Sequence, residues 1–240
     1  MVEPTTPVPP CPGGGPACPL CASPRTAVFA RTDDGRLYLR CPGCRLTFLA
    51  PDRLPDREAE LATYRLHRND PDDPRYRAFL ARLTGPLLRH LRPGRVGLDF
   101  GCGPGPAIAP MLAGHGLEVV NYDPFFRPCA AALEHRYDFI TCSEVVEHFH
   151  APGREFDRLD RLLRPGGWLG VMTAMLEEDA GFAGWWYRRD PTHVCFYRRE
   201  TMGWIAARFG WDVAFPGPTV ALFRKPAGPS IWPADGGRRV

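Results

Sequence analysis

A glycine-rich turn near the middle of the chain has residue types that suit a nucleotide-like cofactor. Gly101, Gly103 and Gly105 follow Val96–Phe100, a short apolar stretch that predicts a buried strand. Glycines in such a turn let the backbone approach a ligand that a side chain would block. Asp123 ends the next apolar run, about where the second strand of a βαβ unit brings a carboxylate to a ribose. These residues predict a cofactor site.

The sixth position of the glycine pattern separates two cofactor classes. A nicotinamide-dinucleotide fingerprint has Gly or Ala there, whereas this chain has Pro106. Asp99, two residues before the first glycine, instead gives the pattern of the class I S-adenosylmethionine (SAM) methyltransferases. The chain resembles this family from about Leu83 to Lys225. Tyr137–Cys142 is similar to the family's fourth strand, and Leu162–Leu169, with its Pro-Gly-Gly, to the turn into the fifth.

The resemblance implies an α/β fold with a Rossmann-like, doubly wound sheet and SAM at the glycine turn. Asp99 and the three glycines would border the methionine part of SAM, and Asp123 would bind the ribose hydroxyls. The predicted SAM-binding set is completed by Cys102, Cys142 and Glu144. Asp123 and Tyr137 are separated by 13 residues, so a short or irregular third strand is expected. The alternative is a Rossmann-like domain that has lost its ligand, against which the intact glycine turn and Asp123 argue.

Four cysteines form a second motif, two C-x-x-C pairs 19 residues apart: Cys18 with Cys21, and Cys41 with Cys44. This spacing predicts a zinc ribbon in which four thiolates hold a structural Zn²⁺ with no open coordination position. The alternative is a set of unrelated free thiols. Cys11 is not expected to be a ligand. Buried thiols are expected at Cys102, Cys129, Cys142 and Cys195.

A third set of residues could perform acid–base or metal chemistry. Glu144, Glu147 and His148 have i, i+3, i+4 spacing, which predicts one face of a helix beside the glycine turn. His193 would join them if its segment folds back over the carboxyl ends of the strands. Glu147, His148 and His193 are the predicted catalytic residues.

Two carboxylates and two imidazoles suit a divalent metal. The Glu-x-x-Glu-His element with a distant His resembles the metal site of the small-RNA 3'-terminal 2'-O-methyltransferases. A related helix is seen in ubiquinone-biosynthesis O-methyltransferases. Such a second metal, at Glu144, Glu147, His148 and His193, would acidify a substrate hydroxyl. In the metal-free alternative His148 is a hydrogen-bonding wall of the pocket and His193 a general base. An aromatic run that includes Trp185, Trp186 and Tyr187 is expected either to line the acceptor pocket or to pack in the core.

Length and pattern predict a small module in front of a larger domain. The ribbon and the sheet are expected to have separate cores. A late helix over 202–209 and a closing hairpin of 211–215 with 219–223 are also predicted. The predicted divisions are a disordered leader 1–17, the ribbon 18–50, a helical connector 51–92, the methyltransferase domain 93–225 and a flexible tail 226–240.

Composition limits the location and the partners of the chain. No run approaches the ~18 apolar residues of a membrane span, and the N-terminus has no signal-peptide pattern, so a cytoplasmic protein is expected. The net charge of +3 is concentrated in residues 1–95, which leaves open an anionic partner or a solvated arginine-rich surface. The oligomeric state stays open.

The sequence therefore predicts a SAM-dependent methyltransferase with a zinc ribbon. We favour a small-molecule acceptor over RNA. A zinc ribbon before such a domain resembles both rRNA base methyltransferases and deoxysugar C-methyltransferases. The alternative of a different class is a non-catalytic module that docks a partner through its ribbon.

Overall fold

The computed structural model describes residues 15–66 and 69–228. The predictions of a disordered leader and a flexible tail therefore lie outside the described residues for 1–14, which include Cys11, and for 229–240. Ten strands and five α-helices occur in the described part. The strands are β1 Ala27–Arg31, β2 Leu37–Arg40, β3 Thr47–Leu49, β4 Val96–Phe100, β5 Glu118–Tyr122, β6 Tyr137–Ser143, β7 Leu163–Met172, β8 Cys195–Phe196, β9 Asp212–Gly217 and β10 Val220–Arg224. The helices are α1 Arg57–Tyr64, α2 Pro74–Leu88, α3 Ile108–Ala113, α4 Pro152–Leu162 and α5 Arg199–Phe209.

The central sheet has the order β5-β4-β6-β7-β10-β9. Strands β5, β4, β6 and β7 are parallel, and the β9–β10 hairpin closes the sheet antiparallel to β7. Helices α2 and α3 contribute apolar residues to a cluster beneath the sheet, among them Leu83 and Leu112. The mixed α/β fold with a mostly parallel sheet is confirmed, as are the late helix and the closing hairpin.

The sheet ends at β5, although a short third strand was expected in the stretch of chain that follows β5. The stretch from Pro124 to Arg136 contains a 3₁₀ helix at Ala130–Leu133 and no strand. One isolated bridge joins Asp123 to Arg127 and reverses the chain directly after β5. The expected third strand is therefore wrong, and β5 is an edge of the sheet, because the thirteen residues are used up by the crossover from β5 to the parallel strand β6 and leave no room for a further strand.

Helices α1 and α2 form the predicted connector before the central sheet. Each is capped by an aspartate, since the Asp56 and Asp73 carboxylates accept hydrogen bonds from Ala59 N and Arg75 N at 2.9 and 2.8 Å. Pro74 is the first residue of α2, where its missing N–H costs nothing. Across 15–66 and 69–228, no helix combines the length and the apolar character that a membrane crossing needs.

Strands β1, β2 and β3 form a second sheet together with β8, which comes from the C-terminal half of the chain. The predicted hairpin of β1 and β2 is present, and β3 pairs with β8 through Thr47–Phe196 and Phe48–Cys195. One apolar cluster contains Tyr38 of the ribbon together with residues of the larger domain. The expectation of separate cores is therefore wrong. A module of this size has too little apolar volume of its own and buries its face against the domain.

Candidate functional site

A cavity of about 600 Å³ opens at the carboxyl ends of the parallel strands. This is the edge at which open α/β sheets bind ligands. The predicted SAM-binding residues in its lining are Gly101, Cys102, Gly103, Asp123 and Glu144. Asp99, Gly105 and Cys142 are not among its lining residues, and Cys142 is fully buried in β6.

The glycine turn is held to the end of β5 by backbone hydrogen bonds. Gly101 and Cys102 donate their N–H groups to the Tyr122 carbonyl at 2.8 and 3.1 Å. Gly101 and Gly103 have φ angles of 80° and 66°, in the region that favours glycine. The Gly103 N–H then donates to Asp123 Oδ2 at 3.0 Å, so the turn and the acidic residue form one unit.

Asp123 is fixed in place by its neighbours. Its Oδ1 accepts hydrogen bonds from the N–H groups of Phe125 and Phe126 at 2.8 and 3.0 Å. A carboxylate has about four acceptor positions, and backbone groups use three of them. One position, on Oδ2, therefore stays open to a ligand hydroxyl at the cavity wall.

Gly105 is required by chain packing rather than by the cavity. A Cβ at Gly105 would lie 1.7 Å from the Asn69 carbonyl oxygen. The segment before α2 therefore crosses over the glycine turn, and Asn69 lines the cavity. The sequence analysis missed Asn69, since no local pattern marks a contact between residues so far apart in the chain.

Asp99 lies beneath the turn, where it is 3% exposed. The Thr141 hydroxyl donates to its Oδ1 at 2.8 Å. Burial raises the pKa of Asp99 to about 7, with a further contribution from the charge of Asp123 and a partial offset by the Thr141 hydrogen bond. A positively charged group placed near this carboxyl would favour its ionised form.

The predicted helix at Glu144, Glu147 and His148 is wrong. Glu144 has φ of 52° just after β6, and its N–H donates to the Met172 carbonyl at 2.8 Å. A 3₁₀ turn at Val146–His148 follows. This sharp turn replaces the helix because Glu144 leaves helical backbone geometry, and it directs Glu147 into the interior, where its side chain is 0% exposed.

Tyr187 joins the two glutamates. Its hydroxyl lies 2.5 Å from Glu147 Oε1, 3.1 Å from Glu144 Oε2 and 3.1 Å from the Thr173 hydroxyl. Tyr187 and Phe182 pack in the core, whereas Trp186 is 68% exposed at the cavity wall. The aromatic run was expected either to line the acceptor pocket or to pack in the core. Tyr187 does both, since its ring is buried and its hydroxyl lies at the site.

The surroundings of both glutamates raise their pKa. Burial raises the pKa of Glu144 to about 7, and burial together with the neighbouring Glu144 raises that of Glu147 well above its usual range. A tyrosine hydroxyl has one proton to donate. A protonated Glu147 that donates to Tyr187, with Tyr187 donating in turn to Glu144, satisfies all three groups.

The rings of His148 and His193 lie 4.7 Å apart at 70°. Nδ1 of His148 is 3.0 Å from the Thr192 carbonyl, and Nδ1 of His193 is 2.7 Å from the Tyr187 carbonyl. A carbonyl oxygen only accepts, so each Nδ1 is the donor and Nε2 is the basic nitrogen of the neutral ring.

The structure brings all of the predicted catalytic residues together. One potential ligand atom from each of Glu147, His148 and His193 lies within 4.8 Å of the others. Glu147 Oε2 is buried and accepts no hydrogen bond from the described residues. A divalent cation would satisfy this atom, so the donor set fits a metal ion. Glu144 reaches the group through Tyr187.

The four ribbon cysteines converge at one point. Their Sγ atoms lie within 4.8 Å of one another, with Cys18–Cys44 and Cys21–Cys41 each at 3.5 Å. Bonds of ~2.3 Å to a tetrahedral Zn²⁺ would place the sulfurs about 3.8 Å apart, so the arrangement fits this ion. Elsewhere Cys102, Cys142 and Cys195 are buried as expected, but Cys129 is exposed because no strand covers it.

The two cysteine pairs share one backbone geometry. Residues Ala22 and Arg45, each directly after the second cysteine of a pair, have φ angles of 58° and 63°. Their N–H groups donate to the carbonyls of Cys18 and Cys41 at 2.9 and 3.0 Å. Each turn therefore aims two sulfurs at the same point.

Comparisons with known proteins find relatives that match part of this chain. The ubiquinone biosynthesis O-methyltransferase of Burkholderia cenocepacia is 30% identical in a 104-residue alignment, and the match covers 33% of this chain and 44% of that protein. The enzyme of the same name from Leptothrix cholodnii is 29% identical over 101 residues, 32% of this chain and 43% of its own. The chain thus spans less than half the length of these curated relatives.

A solved structure extends the comparison to the fold. The 1,6-didemethyltoxoflavin-N1-methyltransferase of Burkholderia thailandensis matches 83% of this chain and 100% of its own length, at 17% identity and a TM-score of 0.50. The family model for a methyltransferase domain matches residues 66–214, which is more than half of the chain. This chain therefore belongs to the methyltransferase domain family.

Proposed function

We propose that the protein is a SAM-dependent methyltransferase acting on a small-molecule acceptor. The observation that carries this proposal is a single cavity that joins the Gly103–Asp123 unit to the His148–His193 pair. A cofactor held at one end and an acceptor held at the other would face each other across it. Most of the acceleration would come from holding the two in line, without a covalent enzyme intermediate.

The SAM side is assigned to the glycine turn and its two acidic residues. SAM supplies an electrophilic methyl group when it is bound. The open acceptor position of Asp123 suits a ribose hydroxyl, and the buried Asp99 carboxyl lies beneath the turn where the methionine part is expected. Gly101, Cys102 and Gly103 provide a surface without bulky side chains.

The acceptor side is assigned to His193 and His148. With Nδ1 engaged by a backbone carbonyl, the basic Nε2 of the neutral His193 ring, which lies 3.9 Å from Asp190 Oδ2, would take the proton that an acceptor O–H or N–H loses as the methyl group arrives. Glu147, Tyr187 and Glu144 form a chain of hydrogen bonds beside it.

A divalent cation at Glu147, His148 and His193 is the second version of this site. When bound, it would lower the pKa of an acceptor hydroxyl. The buried Oε2 of Glu147 supports this version. The two versions differ in metal content, because only the second gives a further metal ion per chain. His193→Gln should lose that ion and keep the Zn²⁺ of the ribbon.

Two observations support a small acceptor over RNA. The whole cavity measures about 600 Å³ and must also contain SAM. The curated relatives are named for ubiquinone biosynthesis, a small-molecule pathway. Whether oxygen, nitrogen or carbon receives the methyl group depends on the acceptor that is found.

The ribbon cysteines are assigned a structural Zn²⁺. Four thiolates would fill its coordination shell, so this ion would stabilise the fold rather than bind substrate. We keep the divisions 18–50, 51–92 and 93–225 as a proposal for the ribbon, the connector and the catalytic domain.

The test is a calorimetric titration with SAM, followed by a search for acceptors with SAM carrying a labelled methyl group. We expect binding at one site per chain and transfer of label to a compound from a small-molecule extract. Failure to bind SAM would refute the assignment. Binding without transfer to any small-molecule or RNA fraction would favour the non-catalytic module instead.

A further inference from the structure

We propose that the ribbon, residues 18–50, positions the acceptor side of the site. It does so by holding the segment Phe182–Phe196, which carries Tyr187 and His193, against Glu147 and His148. This inference rests on the proposed function, because it assigns the ribbon a role in the same methyl-transfer site. Arg36 and Asp34 of the ribbon are thereby positioning residues that act through the segment.

The first support is a continuous hydrogen-bonded path from the ribbon to the site. Leu49 at the end of β3 donates its N–H to the Val194 carbonyl at 2.8 Å. Val194 in turn donates its N–H to the Glu147 carbonyl at 2.9 Å. Val194 is thus hydrogen-bonded both to the ribbon strand β3 and to the turn that contains Glu147. These two bonds also restrain the position of His193, because it directly precedes Val194.

The second support is a set of charged contacts from the β1–β2 turn. Asp34 accepts a hydrogen bond from Arg188 Nη1 at 2.9 Å. Arg36 Nη1 donates to the Arg188 carbonyl at 3.1 Å and is 3.4 Å from that of Asp190. Arg188 is 7% exposed and follows Tyr187 directly, so these contacts fix the backbone between Tyr187 and His193, which both line the cavity.

The third support is the apolar face of the ribbon. Phe182, at the start of the segment, packs its ring 5.1 Å from that of Phe29 and 4.9 Å from that of Tyr38. Between Phe182 and β8 the segment contains only two short 3₁₀ helices, Phe182–Gly184 and Trp186–Arg189. Such a stretch makes few regular hydrogen bonds of its own and takes its shape from the surface it lies on.

The SAM side of the site is held by contacts that do not involve the ribbon. The glycine turn is held by Tyr122 and Asp123 and is crossed by Asn69, none of which belongs to the ribbon. Loss of the ribbon contacts should therefore disturb the acceptor side and spare SAM binding. This separation makes the proposal testable before the acceptor is known.

The experiment compares two double variants of the full-length, metal-loaded protein. Asp34→Asn with Arg36→Ala removes the charged contacts to the segment. Asp33→Asn with Arg31→Ala changes the same residue types in the same hairpin, at exposed side chains that make none of these contacts. Hydrogen exchange is measured by mass spectrometry over 182–196 and over Val96–Phe100 as an internal reference. The His193 Hε1 signal is followed by NMR, assigned with His193→Gln, with His90 as a remote reference.

In the first variant we expect exchange over 182–196 to rise about threefold to tenfold. The His193 signal should shift while His90 and the affinity for SAM stay unchanged, and the control should behave as the wild type. Equal behaviour of the two variants would overturn the positioning role, as would an equal rise in exchange over Val96–Phe100. If the wild type fails to bind SAM, the proposed function fails, while the exchange data still decide whether the ribbon holds the segment.

Discussion

The rings of His148 and His193 lie side by side at the cavity wall with their centroids 4.7 Å apart, although 44 residues separate them in the chain. Each ring is oriented by a backbone carbonyl from the segment before β8, that of Thr192 for His148 and that of Tyr187 for His193. The segment thus sets the orientation of a histidine that it does not contain. The geometry of the pair therefore depends on where this segment lies.

Asp123→Ala should weaken SAM binding about tenfold to a hundredfold, because a hydrogen bond to a charged group contributes ~1.5–3 kcal/mol. The substitution also removes the acceptor for three backbone N–H groups, so Asp123→Asn, which keeps one oxygen, should lose less. The measurement is calorimetry with SAM. Glu118→Ala, at an exposed position of the same strand, is the control. An unchanged affinity of Asp123→Ala would remove this residue from the site.

Local patterns were enough to predict most of the fold. The apolar runs of β4, β5 and β6, the glycine turn and the two cysteine pairs are all continuous in sequence, and each was predicted close to its observed place. Two of the predictions that failed depend on distant partners. The Glu144 turn results from its bond to Met172, and the shared core results from the pairing of β3 with β8.

The same distinction holds within the candidate site. The proximity of His193 to His148 could be predicted because the carboxyl ends of parallel strands meet at one edge. The role of Tyr187 as the link between two glutamates could not, since a tyrosine in an aromatic run carries no sign of its hydroxyl partners. Asn69 was missed for the same reason, because its contact with Gly105 joins two loops.

Tyr187→Phe should lower the free energy of unfolding by about 1–3 kcal/mol, since it leaves the buried Glu147 and the half-buried Glu144 without their shared partner. Tyr137→Phe is the matched control, because its hydroxyl is also buried but donates only to the Ala132 carbonyl, at 2.7 Å. Urea unfolding of both variants at neutral pH gives the comparison. A loss for Tyr187→Phe no larger than that of the control would mean that the glutamates do not depend on this hydroxyl.

Asp99→Asn should stabilise the SAM-free protein at pH 8. The pKa of Asp99 is raised to about 7 in the folded state. The stability that its protonated carboxyl contributes is therefore fully present below the unfolded pKa near 4 and is lost as the pH rises through 7. The loss amounts to about 1.4 kcal/mol per pH unit within this window. Asparagine does not titrate and can still accept the Thr141 hydrogen bond. Urea unfolding between pH 4 and 8 should therefore show an advantage of the variant that grows with pH and then levels off.

Asp138→Asn is the control, because its effect on stability should have the opposite sign to that of Asp99→Asn. Burial would raise the pKa of Asp138, but hydrogen bonds from Val96 N–H, Arg164 and Arg95 outweigh it and hold the pKa below its usual range. The stability that the ionised carboxylate contributes is therefore present above the unfolded pKa and is lost on acidification. This variant should be less stable than the wild type at neutral pH. If Asp99→Asn is also no more stable than the wild type at pH 8, the pKa of Asp99 is not raised in the folded protein and its assigned direction is wrong.

Removal of metal from the ribbon should lower the melting temperature of the whole protein in a single transition. The cysteine turn is tied to the larger domain, because the Pro19 carbonyl accepts from Gly153 N at 3.1 Å and the Leu20 carbonyl from Arg208 Nη1 at 3.0 Å. The ribbon also shares its apolar cluster with that domain, so the two parts should not melt separately. Elemental analysis should give one zinc per chain and a loss of it in Cys41→Ser, but not in Cys129→Ser. Calorimetry that resolved an early ribbon transition, with the main transition unmoved by a chelator, would contradict the coupling.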